Sequence, residues 1–451
     1  MPSLRTTNSA QRASTIISAR GADFSPLRLT YTRASLRAIE LQTASGSDRP
    51  ERQRGGEAIV IIGVPKERFP GERRVALIPA SIAALKKVGC DVLIEAGAGY
   101  EAGYPDAVYE QKGAALVASR GELFARAEVI FQLVGYSANP ETGKDDLPLL
   151  RRGQAVFSFL RALGNPEGIV ELAATGVTAF AIEMLPRISR AQSMDALSSM
   201  ATIAGYKAVL LAADTLAKMF PMMMTAACTI APARVLVVGA GVSGLQAIST
   251  ARRIGAVVSA YDVRPSSKQE VQSLGAKFIE LPLDTADTED SGGYARAQDE
   301  SFYRRQGELM AKAVAEHDVI ITTANVPGRK APVVISDEMV AGMNPGSVIV
   351  DLAAERGGNC ALTRAGEHVT AHGVTILGPV NIASLVPFHA SQMYSANVTK
   401  LFLHVAPQGA VQFNTADEIT RETMVARDGQ VVHPRVREAA GLGPAAGERK
   451  D

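Results

Sequence analysis

Gly239, Gly241 and Gly244 stand in a GxGxxG pattern directly after the apolar run RVLVV. A helix-spaced segment follows, and the next apolar run, AVVSAYD, ends at Asp262. Few folds accept that order. A strand, a tight turn, a helix and a second strand within about 30 residues make a βαβ unit, which means parallel strands joined by a right-handed crossover. Gly239 permits the tight turn, Gly241 lets the backbone approach a pyrophosphate, and Gly244 lets helix and strand pack closely. The helix N-terminus offers free N–H groups to the phosphates. Asp262 can accept hydrogen bonds from both hydroxyls of an adenosine ribose and would repel a 2′-phosphate, so it favours NAD over NADP; Arg264 weakens that preference slightly. The pattern alone does not separate nicotinamide from flavin, and it names no reaction.

The same alternation runs through the chain. AIVIIGVPKERF, from Ala58, reads as a buried strand ending in a Gly/Pro loop, and ASIAALKKVG as a helix. DVLIEAG, ALVA, AEVIFQLVG, AVFSFL and VTAFAIEM follow as short apolar runs separated by helical segments, DAVYEQKGA among them. A second series begins at Arg234 with RVLVVGAG, AVVSAYDV, KFIEL, DVIITTA, GSVIVDLA and VTILG. Alternation of this kind implies parallel sheets with helices on both faces. A chain of 451 residues also exceeds one typical core. The expected fold class is therefore α/β, with two Rossmann-like, doubly wound parallel-sheet domains.

The first 55 or so residues differ in kind. They are rich in Ser, Thr and Arg, lack Lys as far as Glu40 and hold few acids. An organelle transit peptide has that composition, and so does a disordered extension or a start codon placed too far upstream. With 47 basic against 46 acidic residues, the formal net charge of +1 gives no reason to expect nucleic acid as a partner. Cys90, Cys228 and Cys360 lie far apart, which suggests neither a disulfide framework nor a metal site. No membrane-spanning helix is expected, because the most apolar run, residues 219–242, is broken by Pro221, Pro232, Arg234 and glycines.

A dehydrogenase acting on an alcohol or amine must move a proton along with its hydride, and a positioned His, Lys or carboxylate usually does so. The six histidines begin at His317, so none lies in the first series of strands, and His389 reads as structural. Transfer between two nicotinamide rings needs no such group, since no proton enters or leaves either ring; orientation and electrostatics suffice. PRISRAQSMDALSSM, residues 186–200, holds two arginines, a glutamine, an aspartate and four serines ahead of the apolar ATIAGYKAVLLAADTLAKMF. Such groups can fix a carboxamide and a ribose. Equally, Ser193, Asp195 and Ser198 can cap the following helix.

GVPKERFPGERRVALIPASIAALKKVG, PRISRAQSMDALSSMATIAGYKAV, the GxGxxG segment, SGGYA, ITTANVPGRKAPVVI, GSVIVDLAAERGGNC and VARDGQVVHP run in order from about Ala58 to Pro434. Together they resemble the NAD(H)-binding domain I of proton-translocating NAD(P) transhydrogenases. The resemblance implies that Arg187, Gln192, Asp195 and Ser198 are the functional Arg, Gln, Asp and Ser of the nicotinamide-side loop, with Ile188, Ser189, Arg190, Ser193 and Met194 beside them. Gln192 would reach towards the NADP ring, while Arg187 and Asp195 hold the NAD carboxamide. Gly239, Ala240, Gly241, Val242 and Gly244 would face the pyrophosphate, and Asp262, Val263 and Arg264 the ribose. DTADTEDSGGYARAQDE would be a loop closing over NAD with Gly293 and Tyr294 at its tip, and Gln306 and Asn325 would be further contacts.

Alanine dehydrogenase shares the GVPKE start and Arg74, and its lysine and histidine find Leu133, Val134 and Arg161 where they would be expected here. By the resemblance, the chain is one subunit, docking on a membrane-spanning, proton-conducting subunit and an NADP(H)-binding subunit, as a homodimer at the cytoplasmic face of the plasma membrane. The domains would be 58–197 plus 386–435, and 198–385, between an extension at 1–57 and an unstructured tail at 436–451. An amino-acid dehydrogenase and a non-catalytic NAD sensor remain the alternatives.

Overall fold

The computed structural model describes residues 53–54, 57–280, 300–325 and 330–443. The extension and the glycine-bearing loop with Gly293 and Tyr294 lie outside the described residues. The fold is α/β with two principal, mostly parallel sheets. In the first, strand Val60–Val64 pairs with Cys90–Glu95 on one side and Val129–Val134 on the other, and all three run parallel. Ala115–Val117 extends one side; Ala155–Phe159 and Thr178–Ala181 extend the other. Winding outward in both directions from one strand is what the sequence alternation predicts.

The chain's end then returns to this sheet. Strand Met424–Arg427 pairs antiparallel with Thr178–Ala181, and Gln430–Val431 folds back on it as a hairpin. Helix Pro387–Val405 covers one face, burying Tyr394, Val398, Leu401 and Phe402. The reason lies in the period-2 pattern of the strands. Ile62, Phe131, Phe157 and Phe180 point to that face, and Ile130, Val156 and Ala179 to the other. Phe157 stacks on Phe180 at 4.4 Å and meets Phe402 edge-on at 5.8 Å. Each such ring, fully buried, contributes about 1.5–3 kcal/mol.

The second sheet winds outward from Arg234–Val238, flanked by Val257–Tyr261 and Val319–Thr322. Lys277–Phe278 and Val348–Asp351 come next on the two sides, then Val374–Leu377, all parallel, and His368–Ala371 closes one edge antiparallel. Here too alternate residues divide between faces: Val235 and Val237 enter one core, Leu236 and Val238 the other.

Two expectations are corrected. The unstructured tail expected from residue 436 instead begins in helix Pro434–Ala439, because Val436 is buried and Arg437 hydrogen-bonds the carbonyls of Val431 and Gly443. Helix Ala196–Thr215 is, by length and composition, apolar enough to cross a membrane, a property hidden by attention to the Met-rich run after it. Its surroundings account for the apolarity. It lies against helix Val242–Arg253, the helix of the GxGxxG turn, and Ala208, Val209 and Ala212 enter the core of the second sheet. Gly205 makes the close approach: a Cβ there would run into the Ser243 carbonyl.

Candidate functional site

The polar loop leaves the carboxyl end of strand 178–181, passes through a one-turn helix at Ile182–Met184 and forms a second short helical turn, Ser189–Met194. Ligands in open α/β sheets bind outside the carboxyl ends of strands, and this loop occupies such a place. A cavity of about 320 Å³ opens there, lined by Pro186, Arg187, Ile188, Ala191, Gln192, Asp195 and Ser198. That volume lies at the lower end of the range for small-molecule sites. Ile188 and Met194 pack on the first core, and Ala191 is buried; these apolar residues hold the turn in place. The Gln192 side chain is exposed and has no hydrogen-bond partner among the described residues.

The two readings of Asp195 and Ser198 prove compatible. Asp195 caps helix 196–215, accepting from the Ser198 N–H at 2.8 Å and the Ser198 hydroxyl at 2.5 Å, yet both residues line the cavity. Capping fixes the carboxylate in a single orientation. Ser189 and Ser193 are exposed, and the Ser193 carbonyl accepts from Asn397 Nδ2 at 3.1 Å. Arg190, expected beside the cofactor, is absent from the cavity wall and donates to Asp417 at 2.6 Å.

The glycine turn sits at the switch point of the second sheet, where neighbouring strands lead away in opposite directions. Gly239 has φ +98°, which favours glycine, and its carbonyl accepts from Thr323 Oγ1 at 3.0 Å. A Cβ at Gly244 would strike the Gly239 carbonyl, whereas one at Gly241 would meet nothing within 4 Å. Open space at Gly241 beside the N-terminus of helix 242–253 is the cradle a pyrophosphate needs. Val242 is the first residue of that helix and partly exposed; Val263 is half-buried.

Asp262 accepts from the Ala240 N–H at 2.6 Å and from Arg264 through N–H, Nε and Nη2 at 2.8, 2.9 and 2.9 Å. The carboxylate is thus oriented by its own turn, and a ribose would compete with Arg264 for it. Gln306 falls on helix Glu300–Ala315. Asn325 accepts from Arg356 at 3.1 Å.

Where an amino-acid substrate would be sought, the structure offers no room. Leu133 is buried and Val134 half-buried, and Arg161, at φ 53°, is exposed. The Arg74 guanidinium is occupied by Glu72 at 2.7 and 2.5 Å and by Asn381 at 2.9 Å. The space beside Lys66, Glu67, Glu72 and Arg74 is about 10 Å³, which holds at most one water. Glu67 is the group that sequence reasoning missed. Burial, and then the charge of Glu72, push its carboxyl up to about 8, against the pull of the Leu133 and Val134 N–H groups. It came into view only with the tertiary packing, because KER is an ordinary surface-like triplet.

The N-terminal domain of the alanine dehydrogenase/PNT family matches residues 63–204, and its C-terminal domain matches 208–434. The chain is 44% identical over 376 residues to an NAD(P) transhydrogenase subunit alpha chain of Rhodospirillum rubrum, covering 83% of this chain and 98% of that one. A transhydrogenase structure from Sinorhizobium meliloti superposes with TM-score 0.73 at 42% identity, covering 82% of this chain and all of that one. An L-alanine dehydrogenase structure does so with TM-score 0.70 at 26% identity, covering 85% and 99%. Domain models spanning both halves, together with near-complete coverage of a 44% identical relative, place the chain in the alanine dehydrogenase/PNT family, among the NAD(P) transhydrogenase alpha subunits.

Proposed function

We propose that this chain binds NAD(H) and presents it for hydride transfer to NADP⁺ held by a partner subunit, with the transfer coupled to proton movement through a membrane-spanning partner. The observation that carries this reading is the 187–198 cavity. Its polar lining consists of a guanidinium, an amide, a carboxylate and a hydroxyl, with no histidine or lysine among them. The bound dinucleotide supplies the hydride chemistry; the protein supplies orientation and exclusion of water.

In this reading, Gly239–Gly244 and the N-terminus of helix 242–253 hold the pyrophosphate, and Asp262 takes the ribose in place of part of its Arg264 pairing. Arg187, Asp195 and Ser198 fix the carboxamide side. Gln192, exposed and without a side-chain partner among the described residues, reaches across towards the second nucleotide. Ser189, Ser193 and Met194 shape the turn, while Gly293, Tyr294, Gln306 and Asn325 complete the nucleotide contacts. The filled Arg74 pocket speaks against an amino-acid dehydrogenase, since a substrate carboxylate would have to displace Glu72.

The chain divides in this reading into a domain of 58–197 plus 386–435 and a nucleotide domain of 198–385. The partners place it at the cytoplasmic face of the plasma membrane. A homodimer is supported by the hairpin of Met223–Met224 with Thr229–Ile230, on and beside which Met219, Met222, Met223 and Met224 are all exposed.

The test mixes the purified chain with a soluble NADP(H)-binding transhydrogenase domain and follows reduction of an NAD⁺ analogue by NADH in the presence of NADP(H). Rapid reduction that requires both proteins supports the reading. Tight NADH binding without reduction overturns the transfer step and leaves a nucleotide-binding module.

A further inference from the structure

The loop that carries Gln192 is fastened downstream by its own helix, through the Asp195 cap. Its upstream part is fastened by residues far along the chain. Arg190 Nη1 donates to Asp417 Oδ1 at 2.6 Å across a separation of 227 residues, and Asn397 holds the Ser193 carbonyl across 204. Asp417 is a built anchor. Its other oxygen is hydrogen-bonded to His404 Nε2 at 2.8 Å, to the Thr420 N–H at 2.8 Å and to the Thr420 hydroxyl at 2.9 Å, and it caps helix Glu418–Thr423.

Burial works against ionisation of Asp417. The hydrogen bonds from His404, Thr420 and Arg190 outweigh it and hold the carboxyl well below the usual carboxylate range. An isolated exposed pair contributes about 0.2–1 kcal/mol. This pair is different, because its acid is 15% exposed and shared among four donors.

We propose that Asp417 is a positioning residue for hydride transfer: acting through Arg190, it sets where the 189–194 turn, and with it Gln192, stands. The inference rests on the transfer reading given above. Gln192 lies two residues beyond Arg190 in the same short helical turn, where each residue advances about 2 Å. Release of Arg190 would let the amide move by a comparable distance, and misplacement of about 1 Å can cost as much as about a hundredfold in rate.

Asp417→Asn, Arg190→Gln, the double variant and Arg190→Lys test this, with Gln192→Ala beside them. Asn caps a helix as well as Asp does, so helix 418–423 should survive the first change. With the partner domain present, Asp417→Asn and Arg190→Gln should each slow transfer about tenfold while NADH Kd stays within about twofold. The double variant should be no slower than the slower single, because the two residues act as one unit. Arg190→Lys should recover part of the rate, and amide exchange across 187–194 should quicken in Asp417→Asn and Arg190→Gln. If Gln192→Ala slows transfer but these variants keep wild-type rate and exchange, the positioning role is overturned. If Gln192→Ala also has no effect, the transfer reading itself falls, and the positioning role falls with it.

Discussion

Gln192 and Asp262 show how differently two polar side chains can be prepared for a ligand. The Gln192 amide stands exposed above a cavity whose other polar groups are already oriented, so its contribution should be realised mainly when two nucleotides meet. Gln192→Ala is expected to slow transfer at least about tenfold while NADH affinity changes little, because an orienting contact acts mostly in the transition state. Equal losses in stopped-flow transfer and equilibrium binding would remove that role. Asp262, by contrast, is held by Ala240 and Arg264 before any ligand arrives. Asp262→Ala should weaken NADH binding and relax discrimination against NADPH, since the acceptor is lost and Arg264 is left to meet a 2′-phosphate. Titration with both nucleotides checks this, and an unchanged preference would show the assignment to be wrong.

At the scale of elements, the joint between helices 196–215 and 242–253 matters most, because it links the polar loop to the nucleotide turn. The two backbones approach at Gly205 and Ser243 with no space for a side chain. Gly205→Ala would add the better helix former, yet the methyl must push the helices apart, an overpacking cost of about 1–3 kcal/mol. A lowered Tm together with weaker NADH binding is the expected result in thermal melts and titrations. A Tm at or above the wild-type value would mean that the joint yields easily. The sequence marks both helices by their spacing, but nothing in GYKAV says which helix face touches which neighbour.

For the molecule as a whole, the first sheet's polar interior makes stability depend on pH. Glu67 is buried with its carboxyl raised to about 8, mainly by burial, so the folded state holds a proton that the unfolded chain has released above its ordinary value of 4.5. Between those values the unfolded state binds fewer protons, and stability declines as pH rises from about 4.5 to about 8. Glu67→Gln keeps an acceptor for the Leu133 and Val134 N–H groups and cannot ionise. Relative to wild type it should therefore be more stable at pH 9 than at pH 5. Denaturant melts at the two pH values decide this, and a difference that does not vary with pH would exclude Glu67 as the titrating group.

The strands of both sheets, the glycine turn with its acidic partner and the polar loop were legible in the sequence, because each is written in local periods and in residue types with local conformational tasks. The return of residues 387–431 to the first sheet places Phe402 against Phe157, Asn397 against Ser193 and Asp417 against Arg190. The burial of Glu67 and the filling of the Arg74 pocket by Glu72 belong with these contacts. All of them depend on which surfaces meet once the helices have packed, and a local pattern of apolar and polar residues carries no address for a partner two hundred positions away.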